Sequence, residues 1–542
     1  MYPAWRVDSR RNAGRLMSRR GAESAVFPRS SPACPAGEAV LPFALLILIL
    51  FTSTVFGPAA RAGEPRPNIL FCIADDWGYP HAGCYGDRVV RTPHIDRLAR
   101  TGVVFEQAYV SSPSCTPSRG AILTGQWHWR LGPAANLWSV FPKELATYPD
   151  LLSQAGYAVG FMGKGWGPGR AEQGGNPAGP RYKDFESFLK SQYGKDRNGA
   201  AGRAPFCFWI GTIDPHRPYK EGAGKASGLD LDAIQLPACF PDSPTVRSDV
   251  ADYYFEVERF DRVVGHAIES LRRRKLLDQT VIVVTGDHGM PFPRGKSNLY
   301  DLGTRVPLVV HWPAQFPGGR RVTDFVSLVD LAPTFLELAG VPIPQAMTGR
   351  SLLDLLRSDR SGRIDSRRDF VLFGKERHVP SQEAPDMGGY PCRGIRTDRY
   401  LYIRNYRPDR WPCGTPHYKK AAIPGAWYAD TDGGPTKRYI IEHRHDDAMH
   451  ERAYRLAFAK RPREELYDVQ RDPGQLHNVA DDPAYAAVRK ELADRLTQAL
   501  RATGDPREVG GGERFDQYPY LGGAPKYPGY KKRSPSNPAR HE

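Results

Sequence analysis

Four short apolar segments, each followed directly by a glycine or an aspartate, constrain the fold of this chain more than any other feature. The segments span residues 68–74, 157–162, 206–213 and 280–285. Each is an unbroken apolar run of strand length, which is typical of strands buried on both faces of a parallel sheet. Because ligands bind beyond the carboxyl ends of the strands in an open α/β sheet, we expect the polar residues after all four segments to share one crevice.

Carboxylates and a histidine follow the first and last of these segments: Asp75, Asp76, Asp287 and His288. Adjacent carboxylates at the end of a buried strand repel each other and lose hydration, so they need a cation or strong donors nearby. An oxygen-rich, negative site favours a hard divalent cation, with Ca²⁺ ahead of Mg²⁺, whereas the imidazole of His288 also admits Mn²⁺ or Zn²⁺. For Asp75 and Asp76 alone, an exposed acidic turn that caps a helix is the alternative.

Lys164 and His216 follow the other two segments. Lys164 lies in a glycine-rich turn, where glycines let the backbone approach a ligand and lysine supplies a point charge; a plain surface turn is the alternative. His216 lies between Pro215 and Arg217, and it is suited to donating a proton to a leaving group near pH 7. A structural histidine is the alternative for His216.

A further motif is Cys-Thr-Pro-Ser-Arg at residues 115–119, which precedes an apolar run that ends at Gly125. The pattern predicts a helix that stops at Gly125 and places Cys115 just before its N-terminus. Backbone N–H groups at that position, together with Arg119, favour an anion. A thiol there is expected to be acidic and reactive. For a lone cysteine, a buried or disulfide-bonded residue is the alternative.

The full order Cys-x-Pro-Ser-Arg-x-x-x-Leu-Thr-Gly at residues 115–125 resembles the signature of the type I sulfatases. In that family a maturation enzyme oxidises the cysteine to formylglycine, whose hydrated aldehyde attacks the sulfur of a sulfate ester or sulfamate. The resemblance runs from Asn68 to about Leu355, and more weakly to Asp482. It implies an alkaline-phosphatase-like α/β fold with a large mixed sheet between helices, plus a smaller C-terminal α+β domain with an antiparallel sheet.

Within the family, residues 214–217 and 287–300 most resemble the heparan N-sulfatases (N-sulfoglucosamine sulfohydrolases). This resemblance implies one role for each of five residues. Cys115 would be the formylglycine precursor, and Arg119 and Lys164 would hold the nucleophile. His216 would protonate the leaving group, and Lys296 would bind the sulfuryl oxygens.

Three positions depart from the family pattern. Trp166 stands where sulfatases commonly have His, which bears on one hydrogen bond to the nucleophile. His288 stands where many members have Asn, although some carry His. Lys296 replaces the Arg that the N-sulfatase subgroup often has.

Sugar recognition is predicted for Arg217, beside the proposed acid, and for His378. The segments 375–378 and 430–437 are expected to be ordinary surface loops; a position at the mouth of the active site, where they would contact the sugar, is the alternative. An alternating pattern over 394–404 predicts one half-exposed strand. A strand and turn follow at 464–474.

The domain boundaries are predicted from composition. We expect a catalytic domain over residues 63–368 and a C-terminal subdomain over residues 369–509. A flexible tail is expected over residues 510–542, where glycine, proline and tyrosine dominate.

Residues 1–62 have the features of a signal peptide. An apolar run over residues 40–56 follows a basic region and precedes Ala60-Arg61-Ala62, so we expect export with Gly63 as the first mature residue. A membrane anchor is the alternative, but the run is shorter than the ~20 residues that a span needs. No Asn-x-Ser/Thr sequon supports a glycan-sorted lysosomal route, so the predicted location is periplasmic or secreted, without a stable membrane anchor.

Charge and cysteine content suit an exported protein with an anionic substrate. Eight arginines and three acidic residues give residues 1–62 a charge of +5, which leaves +10 of the total +15 to the rest of the chain. A merely soluble basic surface is the alternative. Basic runs are not interleaved with aromatic residues, so no nucleic-acid partner is predicted. Cys392 and Cys413 are predicted to form a disulfide in an oxidising compartment.

These features together predict an exported sulfatase that removes sulfate from a sulfated carbohydrate, with N-sulfoglucosamine as the first candidate. Its predicted partners are the sulfated carbohydrate and a formylglycine-generating enzyme. A phosphate-monoester or phosphonate hydrolase of the same fold is one alternative, because the metal and the cations suit either oxyanion. A glycan-binding relative without turnover is the other, and Trp166 is its motivation.

Overall fold

The computed structural model describes residues 66–193 and 204–530. The predicted signal peptide, residues 1–62, and the last part of the predicted tail, residues 531–542, lie outside the described residues. Among the helices that are described, none is long and apolar enough to cross a membrane.

The described residues form thirteen β-strands. They are β1 Asn68–Ala74, β2 Val103–Tyr109, β3 Ser139–Phe141, β4 Ala158–Gly163, β5 Gly169–Ala171, β6 Phe206–Gly211, β7 Thr280–Gly286, β8 Leu308–His311, β9 Arg320–Ser327, β10 Phe370–Lys375, β11 Cys392–Thr397, β12 Tyr400–Asn405 and β13 Glu464–Asp468.

The same residues form fourteen α-helices, several of a single turn. They are α1 Pro93–Thr101, α2 Cys115–Thr124, α3 Tyr148–Gln154, α4 Phe185–Tyr193, α5 Ala223–Ala226, α6 Pro244–Arg273, α7 Asp301–Thr304, α8 Leu331–Leu338, α9 Leu353–Arg357, α10 Pro435–Glu442, α11 Ala448–Phe458, α12 Ala486–Ala502, α13 Pro506–Val509 and α14 Arg514–Gln517.

The main sheet has seven strands in the order β4-β6-β1-β7-β8-β2-β9. The four predicted strands are β4, β6, β1 and β7, which are adjacent and parallel to one another. β8 runs antiparallel to both of its neighbours, so the sheet is mixed, as the family resemblance implies. In the register, Ile73 of β1 pairs with Gly211 of β6, and Ala74 pairs with Gly286 of β7. The carboxyl ends of these strands are therefore level with one another.

Both faces of the main sheet are covered by helices. Along β1, Ile69, Phe71 and Ile73 enter one hydrophobic core, and Leu70 and Cys72 enter the other. The first core also contains residues of α2, α3 and α8, and the second contains residues of α1 and the long helix α6. Burial on both faces explains why the strand segments are apolar without alternation.

A second sheet, with the order β10-β11-β12-β13, is antiparallel throughout and packs against α12. The single strand predicted over residues 394–404 is instead a hairpin of β11 and β12, with its turn at Asp398 and Arg399. The turn contains neither glycine nor proline, so the alternating pattern continues through it without a visible break.

The predicted disulfide between Cys392 and Cys413 is wrong, because both residues are buried free thiols. Cys392 packs in the core beneath the second sheet, whereas Cys413 packs in the core on the α6 side of the main sheet. The Cys413 thiol donates a hydrogen bond to the Ala457 carbonyl, 3.2 Å away. Each cysteine therefore packs in a different hydrophobic core.

The flexible tail predicted from Gly510 is also corrected over its described part, residues 510–530. Phe515 is 1% exposed and packs against α12. Further along, Tyr527 stacks on Tyr418 with ring centroids 4.1 Å apart, and Ala426 forms a β-bridge with Lys526. The aromatic side chains bury enough surface to order a segment that is rich in glycine and proline.

Candidate active site

The carboxyl ends of β1 and β7 place two pairs of polar residues side by side. Asp76 has a left-handed backbone conformation, with φ of 71°, and its N–H donates to Asp287 Oδ1 at 2.9 Å. Asp75, Asp76, Asp287 and His288 are all buried. The convergence expected from the ends of the apolar segments is therefore present at this edge of the sheet.

Cys115 reaches this edge from the first turn of α2. The helix begins at Cys115 itself, with Ser114 as its N-cap, and ends at Gly125, which has a positive φ. The predicted stop is confirmed, whereas the predicted start is late, since the cysteine lies inside the helix. Its Sγ is 3.3 Å from His288 Nε2 and 3.5 Å from Asp75 Oδ1. The cysteine thus shares a cleft with the aspartates.

Ligand atoms of Asp75, Asp76, Cys115 and His288 all lie within 4.8 Å of one another. Asp76 Oδ1 is buried, has no hydrogen-bond partner among the described residues, and lies 3.2 Å from His288 Nε2. A buried carboxylate oxygen without a donor is costly unless a cation neutralises it. Because two carboxylates and an imidazole face one point, these residues fit a divalent metal ion.

Asp287 contributes to this cluster in a different way. Its Oδ1 accepts the N–H of Asp76, and its Oδ2 is paired with Arg119 Nε at 2.7 Å. It is 3.7 Å from His288 Nε2 but is not one of the four residues whose ligand atoms lie within 4.8 Å. Asp287 therefore holds the side chain of Arg119 and the backbone of Asp76 in place.

Arg119 and Lys164 lie on one side of Cys115. The guanidinium of Arg119 is completely buried and also donates to the carbonyls of Lys164, at 2.8 Å, and Gly165, at 3.0 Å. Its Nη2 has no hydrogen-bond partner among the described residues and lies 3.8 Å from Asp75 Oδ1. Lys164 Nζ pairs with Asp75 Oδ2 at 2.6 Å. Both predicted supports are therefore at the cluster.

Lys296 lies on the other side and connects two carboxylates. Its Nζ is 3.0 Å from Asp76 Oδ2 and 3.0 Å from Asp432 Oδ2. The neighbouring acids hold the pKa of Lys296 well above its usual range, in spite of an opposing effect of burial. Lys296 is therefore a fixed positive charge at the mouth of the cluster.

Burial and charge act in opposite directions on the groups around the thiol. Burial favours the neutral form of Asp75, but Lys164, His216 and Arg119 together hold its pKa well below the usual range. Burial raises the pKa of Asp76 in spite of Lys296. Burial, reinforced by Asp75, also raises the pKa of the Cys115 thiol, so the prediction of an acidic thiol is wrong for the unmodified residue.

His216 follows β6 and points toward Asp76. Its Nε2 is 3.8 Å from Asp76 Oδ2, while its Nδ1 faces the carbonyl of Arg217. Since a carbonyl only accepts, Nδ1 carries a hydrogen, and Nε2 is the nitrogen that can exchange a proton at the site. This geometry is compatible with the predicted role as a proton donor.

Arg217, the neighbouring predicted substrate residue, is engaged elsewhere. Its guanidinium forms two hydrogen bonds with Asp249, both 2.8 Å long, and its Nε donates to the Pro291 carbonyl. The rings of Tyr219 and Phe292 lie on it, each with a centroid 4.4 Å away. All three kinds of contact hold Arg217 in place at the lining of the cavity beside the cluster, and its role in substrate binding stays a prediction.

His378 is brought to the site from the second sheet's side of the molecule. It is buried, and its Nδ1 is 2.8 Å from the hydroxyl of Ser114, the residue before Cys115. Burial, together with the charge of Lys296, holds its pKa well below the usual range, so the ring is neutral. The C-terminal segment 375–378 does reach the cluster.

Trp166 and Asp432 have contacts that the sequence does not indicate. Among the described residues, no hydrogen bond joins Trp166 to Cys115; its Nε1 donates to the Thr116 carbonyl at 3.1 Å, and its ring packs edge-on against Phe141. It braces the start of α2. Asp432 lies within the segment 430–437 that was considered near the mouth, but no strand or helix pattern pointed to its contact with Lys296.

A cavity of about 310 Å³ lies beside the cluster. It is bounded by the residues that follow His216 and Asp432, by Trp427, and by the C-terminal segment around Lys526. Its lining combines aromatic and proline surfaces with charged side chains.

Comparison with known proteins matches this chain to two family models and to several sulfatases. The Sulfatase family model matches residues 67–341, and the model "N-sulphoglucosamine sulphohydrolase, C-terminal" matches residues 286–413. Human N-sulphoglucosamine sulphohydrolase is 30% identical over 495 residues, with 82% of this chain and 91% of that protein covered. An ulvan-active sulfatase of Formosa agariphila is 28% identical, with 82% of each chain covered.

Solved structures share the fold at lower identity. One, a protein in complex with its substrate D-glucosamine-2-N,6-O-disulfate, has a TM-score of 0.55 and 21% identity, and covers 82% of this chain and 100% of its own. A phosphonate monoester hydrolase from Silicibacter pomeroyi has a TM-score of 0.57 and 20% identity, with 81% and 96% covered. At these identities the likeness shows the fold alone. The family match and the coverage of the human relative place this chain in the sulfatase family, as a hydrolase of sulfuric esters or sulfamates.

Proposed function

We propose that this protein removes sulfate from a sulfated carbohydrate, and that the N-sulfate of glucosamine is the group it removes. The observation that carries the proposal is the position of Cys115 Sγ, which lies within 3.5 Å of both Asp75 and His288. The N-sulphoglucosamine relative and the match to its C-terminal family model support the choice of sulfamate.

Two additions to the chain are part of the proposal. Cys115 would be converted to formylglycine, and Asp75, Asp76 and His288, with Asp287 beside them, would hold a divalent metal ion, with Ca²⁺ first. The hydrated aldehyde supplies a nucleophilic oxygen near sulfur, and the ion supplies charge that stabilises anionic oxygen. Asp76 Oδ1 and Arg119 Nη2 are buried without a hydrogen-bond partner among the described residues. They support both additions, because each atom needs a partner inside the cluster.

The chain's own residues then have distinct tasks. Arg119 and Lys164 orient the residue at position 115 through their ion pairs with Asp287 and Asp75. Lys296 attracts the sulfuryl oxygens from the mouth of the cluster. His216 Nε2 gives a proton to the departing nitrogen, because its Nδ1 is held by a carbonyl.

The modification is tested by mass spectrometry of the tryptic peptide that spans residues 101–119. After expression beside a formylglycine-generating enzyme, the peptide is expected to carry the aldehyde, and a Cys115→Ala sample is the control. A peptide that carries only thiol or disulfide, in a host that modifies a control sulfatase, would remove the basis of the proposal.

Phosphate-monoester or phosphonate hydrolysis is the second candidate, because a phosphonate monoester hydrolase shares the fold. The Cys-x-Pro-Ser-Arg order and the N-sulphoglucosamine family model both favour sulfate. Parallel turnover of an aryl sulfate and an aryl phosphate by the modified protein distinguishes the two. Faster cleavage of the phosphate would replace the first proposal by the second.

We also propose export to the periplasm or medium, with cleavage before Gly63, from the leader features of residues 1–62. The catalytic domain over 63–368 and the C-terminal subdomain over 369–509 remain proposals. N-terminal sequencing of the secreted protein, and limited proteolysis near residue 368, test these boundaries.

A further inference from the structure

Asp432 is an acidic residue at a site that is built to attract an anion. Its Oδ2 lies 3.0 Å from Lys296 Nζ, and its carboxylate, His216 and Asp76 all have ligand atoms within 4.8 Å of one another. The Asp432 side chain is 20% exposed, whereas Lys296 is 4% exposed. Asp432 therefore lies on the solvent side of Lys296, beside the histidine that faces the leaving group.

The charge of Asp432 requires an explanation. Asp75, Asp76 and Asp287 each pair with a fixed cation, Lys164, Lys296 and Arg119 respectively, before the two positive charges of the proposed divalent ion are added. A fourth carboxylate next to Lys296 weakens its attraction for sulfuryl oxygens. Lys296 is already held by Asp76, so Asp432 is not needed to place it. Among the described residues, none donates a hydrogen bond to Asp432 Oδ1, which leaves this oxygen available as an acceptor for a ligand.

The group that a carboxylate at this position attracts is a cation or a strong N–H donor. When a sulfamate is cut, the S–N bond breaks as sulfur gains a bond to the attacking oxygen, and the electron pair of the broken bond stays on nitrogen. The nitrogen takes one proton from His216, and the resulting primary amine takes another from water at neutral pH. An alcohol released from a sulfate ester stays neutral. Only the sulfamate leaves a positive charge beside Asp432.

We propose that Asp432 is a specificity-determining residue that binds the amino group released from an N-sulfated amino sugar. The inference rests on the proposed function, and it adds a reason why the site accepts a sulfamate in preference to a sulfate ester. Asp432 favours the product-like nitrogen through a charge-assisted hydrogen bond and repels a second anionic group at the same position.

The competing explanation is that Asp432 only positions Lys296. The two explanations predict different results for Asp432→Asn, which keeps the size and one acceptor but removes the charge. If Asp432 only positions Lys296, the substitution should lower kcat/KM equally for the sulfamate and the sulfate ester, because Lys296 binds the sulfuryl oxygens of both. If Asp432 binds the amino group, the loss is confined to ligands that carry nitrogen.

The first test measures binding without turnover, by calorimetric titration of the full chain with glucosamine and with glucose. The wild type is expected to bind glucosamine about ten-fold more tightly than glucose or better, as for a hydrogen bond to a charged group. Asp432→Asn should make the two sugars nearly equal, and Asp432→Glu should restore part of the difference. The proposal would be overturned if Asp432→Asn kept the wild-type preference for glucosamine over glucose, or if the wild type bound both sugars equally.

The second test measures kcat/KM for N-sulfoglucosamine and for an aryl sulfate with the modified protein. Asp432→Asn should lower the sulfamate value about ten-fold more than the sulfate ester value. Equal losses would assign Asp432 to Lys296 positioning. If the wild type released sulfate from no sulfated sugar, the proposed function would fail, while the titrations would still decide the contact with nitrogen.

Discussion

The sulfur of Cys115 lies 3.3 Å from Nε2 of His288, although 172 residues separate them along the chain. The contact exists because α2 begins at the cysteine and because β7 ends just before the histidine. β7 is a strand of the main sheet and α2 packs on one face of that sheet, so the geometry of the site follows from the geometry of the core.

The metal preference should depend on His288. Treatment with a chelator is expected to lower both the melting temperature and sulfate release, and Ca²⁺ should restore both. His288→Asn replaces the imidazole by an amide, which favours Ca²⁺ over Zn²⁺. Zn²⁺ affinity should fall about ten-fold or more, since even outer ligands of a metal have effects of that size. Metal analysis and thermal shift with each ion measure these affinities. The same order of affinities for Ca²⁺ and Zn²⁺ in the wild type and in His288→Asn would contradict the prediction.

Arg119 should be important for stability as well as for the reaction. Arg119→Ala leaves the carboxylate of Asp287 buried without its cation, which is expected to lower the free energy of unfolding by about 3–5 kcal/mol. Arg367, which is 80% exposed in its pair with Asp365, is the matched control, and Arg367→Ala should leave the free energy of unfolding close to that of the wild type. Urea unfolding measures both. Equal losses would show that the buried pair has no special role.

Trp166 should act through packing. Trp166→Phe keeps an aromatic ring against Phe141 but removes the hydrogen bond to the Thr116 carbonyl, so about 1–3 kcal/mol of stability should be lost. The rate of sulfate release should stay within about three-fold of wild type, because the hydrogen bond of Trp166 goes to the Thr116 carbonyl and not to Cys115. A stable Trp166→Phe protein that had lost its activity would show that the ring takes part in the reaction.

Asp261 should make stability fall as the pH rises. Burial raises its pKa to about 7, in spite of the N–H groups of His94 and Ile95 that it accepts. Between the unfolded pKa near 4 and the folded pKa, the folded state binds the extra proton. Its contribution is therefore present below about pH 4 and is lost by about pH 7, and it amounts to about 4 kcal/mol at most.

Unfolding in urea at a series of pH values tests this slope. Asp261→Asn should flatten the dependence between about pH 4 and pH 7. Asp481, which is 95% exposed, is the control position, and Asp481→Asn should leave the slope as in the wild type. If the free energy of unfolding depended on pH in the same way in the wild type and in Asp261→Asn, the pH dependence would belong to other groups.

The main sheet and its polar edge were predictable because each buried strand is a continuous apolar run. Since parallel strands end at the same edge, Asp75, Lys164, His216 and Asp287 were expected to lie together without knowledge of a single contact. The site therefore follows from where each strand stops. The pairing of Ala74 with Gly286 shows how closely the ends align.

The remaining site residues were harder to predict for a physical reason. His378 and Asp432 arrive on irregular segments after β10 and before α10, where no periodicity marks the direction of a side chain. The position of Cys115 at a helix N-terminus predicts an acidic thiol, whereas burial and the neighbouring aspartate raise its pKa. The hairpin at Asp398 was missed because its turn lacks the residues that usually mark turns.

The most direct test of the account is the release of inorganic sulfate from N-sulfoglucosamine by the protein with Cys115 in its modified form, with Cys115→Ala as the matched control. The account predicts sulfate and glucosamine in equal amounts from the modified protein, and none above background from the control, whose melting temperature should match that of the wild type. Equal release by both proteins, or none from any sulfated sugar when the aldehyde is present, would contradict it.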